Sequence, residues 1–116
     1  MNVLKPQVDV STFMALDIMV GTIVDAQWNS KAIKPAYILD IDFGTDVGIK
    51  KGSAQITQAH NIEDLLGTQI VAVVNFPPRR VAGIKSEVLV LAAVNGKNGA
   101  VLLSPTQPVE NGDPVS

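Results

Sequence analysis

NFPPRRVAGIKSEVLVL, Asn75 to Leu91, is the stretch that decides how this chain is read. An apolar run, Gln69 to Asn75, leads into it and reads as the most buried strand. Pro77 and Pro78 then stop sheet pairing, because neither ring carries an amide hydrogen. Two arginines follow at once, and a second apolar run, Glu87 to Val94, returns as the matching strand. Between the runs, Arg79, Arg80 and Lys85 sit with Phe76 at the entrance, and Gly83 permits a turn closed to most other residues. A loop built this way holds charge toward a partner.

Working outward, Ile18 to Ala26 is rich in β-branched residues and reads as the first strand. Gln27 to Pro35 is a polar loop, with Trp28 as a core plug or loop anchor. Tyr37 to Phe43 alternates with period two, so Tyr37, Leu39, Ile41 and Phe43 share one face of a half-buried strand. Val47 to Ile56 is the third strand, and Gly52 inside it marks a bulge. Asn61 to Leu66 has an N-capping residue, acids in its first turn and Gly67 as a stop, the pattern of one short helix. After the Asn95 to Gly99 turn, Val101 to Leu103 is a last short strand. The expected fold is all-β: a five-stranded oligonucleotide- and oligosaccharide-binding (OB) barrel, with one short helix between strands 3 and 4 and terminal extensions. Residues 1–116 form one domain, with an N-terminal arm over about 1–16 and a C-terminal tail over about 104–116. Ser11 or Thr12 caps a short turn in the arm, whose Phe13, Met14 and Leu16 anchor it.

Composition narrows the function classes. At 116 residues and 47% hydrophobic content the chain builds one conventional core. It has no cysteine, which removes disulfides, thiolate metal sites and thiol nucleophiles. Neither a signal-peptide run nor a membrane-spanning apolar stretch is visible, so a soluble cytoplasmic protein without membrane insertion is expected. A formal charge of -2 argues against a broad phosphate grip. Residues 47–97 nevertheless carry six basic against three acidic side chains, which places a local basic patch on an acidic protein.

Catalysis is not expected. His60 is the only histidine, it stands before the short helix without a partner acid or serine motif, and it reads as a capping or surface residue. Asp40 and Asp42 share a strand face, but no histidine or further carboxylate lies near in sequence to complete a metal site. No phosphate-cradling glycine loop occurs, and neither a metal nor a cofactor is expected. The binding candidates are Asn75, Phe76, Pro77, Pro78, Arg79, Arg80, Lys85 and Ser86, joined by Lys50 and Lys51 of the third strand and by Lys34 and Tyr37 near the second. Paired arginines beside exposed apolar rings take carboxylate, phosphate or polar backbone, so polypeptide and RNA both fit. The competing expectation is that one arginine pairs with Glu87 or Asp42 inside the fold.

IDFGTDVGIKKGSAQIT, Ile41 to Thr57, together with VAVVNFPPRRVAGIKSEVLVL, Val71 to Leu91, resembles the CsaA family of small export-related chaperones. The similarity runs from about Phe13 to Gly112. That family is in turn similar to the tRNA-binding domains appended to some methionyl-tRNA synthetases. The resemblance implies an OB barrel that forms a homodimer, binds unfolded or precursor polypeptides and is associated with the Sec export motor, with tRNA as the alternative ligand. Its NFPPRR motif maps onto Asn75 to Arg80. Val88 and Leu89 stand where tRNA-binding relatives carry a glycine-methionine pair, which turns the expectation toward polypeptide; Gly52 replaces a serine frequent among the chaperones.

Overall fold

The computed structural model describes residues 3–116; Met1 and Asn2 of the expected arm lie outside them. Five antiparallel strands form the main sheet: β1 (Ile18–Trp28), β2 (Tyr37–Asp42), β3 (Ile49–Ala54), β4 (Gln69–Val73) and β7 (Leu89–Val90). Their order is β3-β2-β1-β4-β7, and the sheet is curled into a nearly closed barrel. Two hairpins stand outside that sheet: β5 (Arg79–Val81) with β6 (Ile84–Ser86), and β8 (Ala92–Asn95) with β9 (Gly99–Leu102). The inward rows of β1, β2 and β4 supply Ile23, Tyr37, Leu39, Ile41, Ile70 and Ala72, and Phe43 and Leu65 plug the core beside them.

Four local expectations change. The helix between strands 3 and 4 is a single 3-10 turn, Ile62–Asp64, with no side-chain cap from Asn61. So short a segment before Gly67 gains too few hydrogen bonds to offset helix nucleation, and the buried Leu65 pins it instead. Gly52 marks no bulge, since β2 and β3 pair without interruption; the register shift lies in β1, between Ile23 and Asp25. The apolar run Glu87 to Val94 does not stay one strand. Leu91 still donates to the Val71 carbonyl, but one step further along β4 the Gln69 carbonyl is taken by the Ser104 hydroxyl. β8 therefore turns away and pairs with β9. In the arm, helix α1 (Val10–Met14) starts after Asp9, not at Ser11 or Thr12, and buries none of its residues.

The barrel's seam lies between β3 and the turn from β6 into β7. It is closed at one end by an exchange in which side chains replace a strand. The Glu87 amide donates to the Lys51 carbonyl at 2.7 Å, and the Lys51 amide donates to the Glu87 carboxylate at 3.1 Å. The Ser53 amide donates to the Ser86 hydroxyl oxygen at 3.2 Å. The backbones approach so closely here that a Cβ on Gly52 would lie 3.1 Å from a Val88 methyl.

The tail folds back on its own chain. The Val20 amide donates to the Asp113 carbonyl, the Gly112 amide to Val20 and the Val115 amide to Ile18, so residues 112–115 run beside β1 where β2 has ended. Gln69 holds the tail further back, accepting from the Val109 amide and donating to its carbonyl.

Gly52 and Val88 are therefore expected to be energetically coupled. Gly52→Ala should cost about 1 kcal/mol by overpacking, and Val88→Ala about 2 kcal/mol by leaving a cavity. The double variant should be more stable than the sum of the two losses by at least about 0.5 kcal/mol in urea unfolding; strict additivity would separate the two sites.

Candidate functional site

The proline-arginine segment is a hairpin. Val81 pairs with Ile84 across a two-residue turn in which Ala82 and Gly83 both have positive φ, 44° and 86°. This is the arrangement whose twist matches the flanking strands. Glycine takes such a conformation freely, whereas Ala82 is strained there. A buried neighbour supports it: Asn29 in the β1–β2 loop donates its side-chain amide to the Ala82 carbonyl at 3.2 Å and accepts from the Lys31 amide. The Lys31 side chain lies over Gly83. Asn29 was not singled out from sequence; its place between Trp28 and a lysine-bearing loop gave no sign of a partner more than fifty residues away.

Alternation along the hairpin sends its residues to two sides. Arg79, Val81 and Ser86 line an open cleft of about 620 Å³, while Arg80 and Lys85, directly opposite each other, do not. The floor of the cleft is Ile56, Val81, Val88, Val90, Ala92 and Ala100. Its edge carries the more exposed Phe76, Pro77, Arg79, Leu89 and Val94. Leu89 is 52% and Val94 80% exposed, although the sequence places both in a buried strand. Their continuous apolar run gives no hint that the barrel wall is open beside them.

Of the candidate residues, the structure brings Phe76, Pro77, Arg79 and Ser86 to this cleft. Ser86 is engaged in the seam through Ser53. Pro78 is exposed but outside the cleft lining, and Lys34 is exposed in the β1–β2 loop, also outside it. Asn75 serves the architecture instead, accepting from the Asp17 amide at 2.8 Å and donating to the Ala15 carbonyl at 3.0 Å, which fixes the arm where it enters β1. Lys50 and Lys51 are paired, Lys50 with Glu87 at 3.8 Å and Lys51 with Asp40 at 2.7 Å. Asp42 accepts from the Gly44 amide. Neither arginine has an ion-pair partner among the described residues, so the expected internal pairing with Glu87 or Asp42 is not formed, and both guanidinium groups are free for a ligand. No group of acidic, histidine or cysteine side chains able to hold a metal occurs among the described residues.

Tyr37 is a correction to the candidate set. It is 2% exposed, and its hydroxyl donates to the His60 carbonyl at 2.8 Å. Its inward position follows from the same alternation that places Leu39 and Ile41 in the core. Burial pushes its pKa above the ordinary 10.0, with the Glu63 carboxylate adding to the shift. His60 also accepts from the Leu102 amide through Nε2, a structural role that ties the 3-10 region to β9. Trp28, expected as a core plug or loop anchor, is 58% exposed and packs in a T-shaped pair with Tyr37, at 4.8 Å between ring centres.

Residues 18–114 match the family described as "Putative tRNA binding domain". The CsaA chaperone of Bacillus anthracis is 50% identical and superposes with a TM-score of 0.90, over 96% of this chain and 100% of that one. The CsaA chaperone of Picrophilus torridus is 44% identical with a TM-score of 0.89, over 95% and 100%. The chain belongs to the tRNA-binding-domain family, alongside the CsaA chaperones. A methionine–tRNA ligase of Thermococcus onnurineus is 36% identical over 100 residues, 86% of this chain. The chain spans only 13% of that ligase's length, and 16% of the related ligase of Methanococcoides burtonii. No helix among the described residues is long and apolar enough to cross a membrane.

The raised Tyr37 pKa sets a pH dependence. The folded protein holds the phenolic proton more tightly than the unfolded chain, so this share of stability is complete below pH 10 and is lost as pH rises from 10 toward the folded value. Tyr37→Phe should be less stable than wild type by about 1 kcal/mol at pH 8, for want of the hydrogen bond to His60. The difference should shrink above pH 10 when urea midpoints are compared; a constant difference would show that the hydroxyl does not titrate differently on folding.

Proposed function

We propose that this protein is a chaperone that holds unfolded or precursor polypeptide in the cleft beside the β5–β6 hairpin. One observation carries the reading: an open apolar floor whose rim sets Phe76 and Pro77 beside an unpaired Arg79. An unfolded chain offers apolar side chains to such a floor and carbonyl or carboxylate oxygens to a guanidinium. The likeness to CsaA chaperones supports the same assignment. The working form is a homodimer in the cytoplasm, joined through the arm, whose Val3, Leu4, Val8, Val10 and Met14 are all exposed on the single chain. The tail is already hydrogen-bonded to its own β1 and β4. Two clefts per dimer acting on one flexible client raise avidity by about 10²-fold or more. Delivery to the Sec export motor follows from the resemblance to export-related chaperones and has no surface of its own assigned.

A second reading, tRNA binding, is favoured by a different face. Arg80 lies opposite Lys85, and Lys31 lies at the Gly83 turn, so three cations outside the cleft lining gather around the hairpin. The family match and the ligase relatives support it.

At stoichiometric concentration, wild-type protein should delay the aggregation of heat-unfolded citrate synthase, and Leu89→Asp should lose most of that effect while melting within about 2 °C of wild type, because Leu89 is already half exposed. A wild-type protein that neither binds the unfolded enzyme nor slows its aggregation would sink the chaperone reading.

For tRNA, affinity should fall as salt rises. The triple variant Lys31→Ala, Arg80→Ala, Lys85→Ala should flatten the logarithmic slope by about 2 to 3, roughly one for each phosphate left unneutralised. Binding absent at low salt, or without a salt slope, removes this reading.

A further inference from the structure

We infer that the cleft recognises its polypeptide through the main chain, by adding an extended segment to the open edge of β3. The inference rests on the chaperone reading and specifies how that site binds.

β3 has two edges, and the structure fixes which residues serve each. The Phe43 amide donates to the Gly48 carbonyl, so continuing that antiparallel ladder gives Lys50, Gly52 and Ala54 their bonds to β2. Lys51 and Ser53 point the other way, as their amides on Glu87 and Ser86 confirm. The same alternation sends the Ser53 carbonyl and both backbone groups of Gln55 outward. Among the described residues none accepts from the Gln55 amide or donates to the Ser53 carbonyl. The seam therefore ends at Ser53, and the edge runs on unpaired into the cleft, which Ser53, Ala54, Gln55 and Ile56 help to line.

An unpaired edge is a template for a further strand, and strand addition is a general mode of peptide capture in which main-chain bonds give affinity and alternate side chains give selectivity. The occupant is an extended polypeptide of three or more residues, apolar at every second position. One row of its side chains lies on Ile56 and Val88, and the other faces solvent. Arg79 at the rim adds a preference for an acidic side chain or a terminal carboxylate. RNA has no alternating amide and carbonyl row to match this edge. Main-chain recognition fits a holdase in particular, because the backbone bonds themselves are the same for every client and only the alternate side chains select.

The test uses the full chain and a fluorescein-labelled heptapeptide, Val-Thr-Val-Thr-Val-Thr-Val, with two derivatives N-methylated either at the valines or at the threonines. In an added strand, the residues whose side chains meet the floor all turn their amides to the same edge. One derivative should therefore lose affinity about tenfold or more, and the other should bind within about threefold of the parent. Gln55→Pro deletes the donor without touching the β2 ladder and should weaken the parent peptide by about tenfold or more, whereas Gln55→Ala, which keeps the donor, should weaken it by less than about threefold. If Gln55→Pro unfolds the protein, the N-methylated pair decides alone. Wild type that holds heat-unfolded citrate synthase but does not bind the heptapeptide, or binds both derivatives as it binds the parent, overturns strand addition and leaves the chaperone reading intact. Wild type that holds no unfolded protein overturns that reading instead. If Gln55→Pro dissociates self-associated protein and leaves peptide binding unchanged, the edge is a contact between copies, and the proposal fails.

Discussion

The exchange between Glu87 and Lys51 is the constraint on which the rest of this barrel depends. A five-stranded sheet closes only if its first and last strands meet, yet β7 is too short to run along β3. Closure falls to one backbone bond and two side-chain acceptors, the Glu87 carboxylate and the Ser86 hydroxyl. Side chains reach only a residue or two, so the seam is held at Lys51 and Ser53 and released beyond. The released part is the cleft. Gly52 belongs to the same geometry, because a side chain there would push Val88 away and lengthen the gap. Stability and the open cleft thus come from a single local choice: the wall is pinned at one end and stands open at the other.

The seam also settles the charges. Glu87 is the only carboxylate close to the hairpin in sequence, and it is occupied by the Lys51 amide and the Lys50 ammonium. Asp40 is matched to Lys51 across the β2–β3 pair, and Asp42 is turned to its own backbone at Gly44. Each of these acids, which could have neutralised Arg79 or Arg80, has another partner. A molecule with net charge -2 can in this way leave both arginines without an acidic partner among the described residues, and without a large basic surface.

Much of the architecture was legible in the sequence, because it rests on short-range patterns. The period-two alternation of Tyr37 to Phe43, the double proline after Asn75 and the glycine at position 83 each specify local geometry, and the structure has the strand, the break and the turn they indicate. What was not legible depends on contacts distant in sequence. Asn75 looks like the start of a binding loop until its amide group is seen holding Ala15 and Asp17. Tyr37 combines a core position with a polar tip, and only His60 shows which end the fold uses. The apolar run from Glu87 to Val94 reads as burial, since composition cannot reveal that β4 has lent its Gln69 carbonyl to the tail.

The two ligands proposed for this chain need not compete for one surface. A strand of alternating residues is a two-faced object, and the β5–β6 hairpin uses both faces: Arg79 with Val81 toward the cleft, Arg80 with Lys85 away from it. An apolar floor beside an open strand edge suits polypeptide, whose backbone can extend that sheet. A cluster of cations around a turn suits a phosphate backbone. The adjacent arginines, which in the sequence look like one doubled site, are divided by a single step of strand geometry into members of two different surfaces.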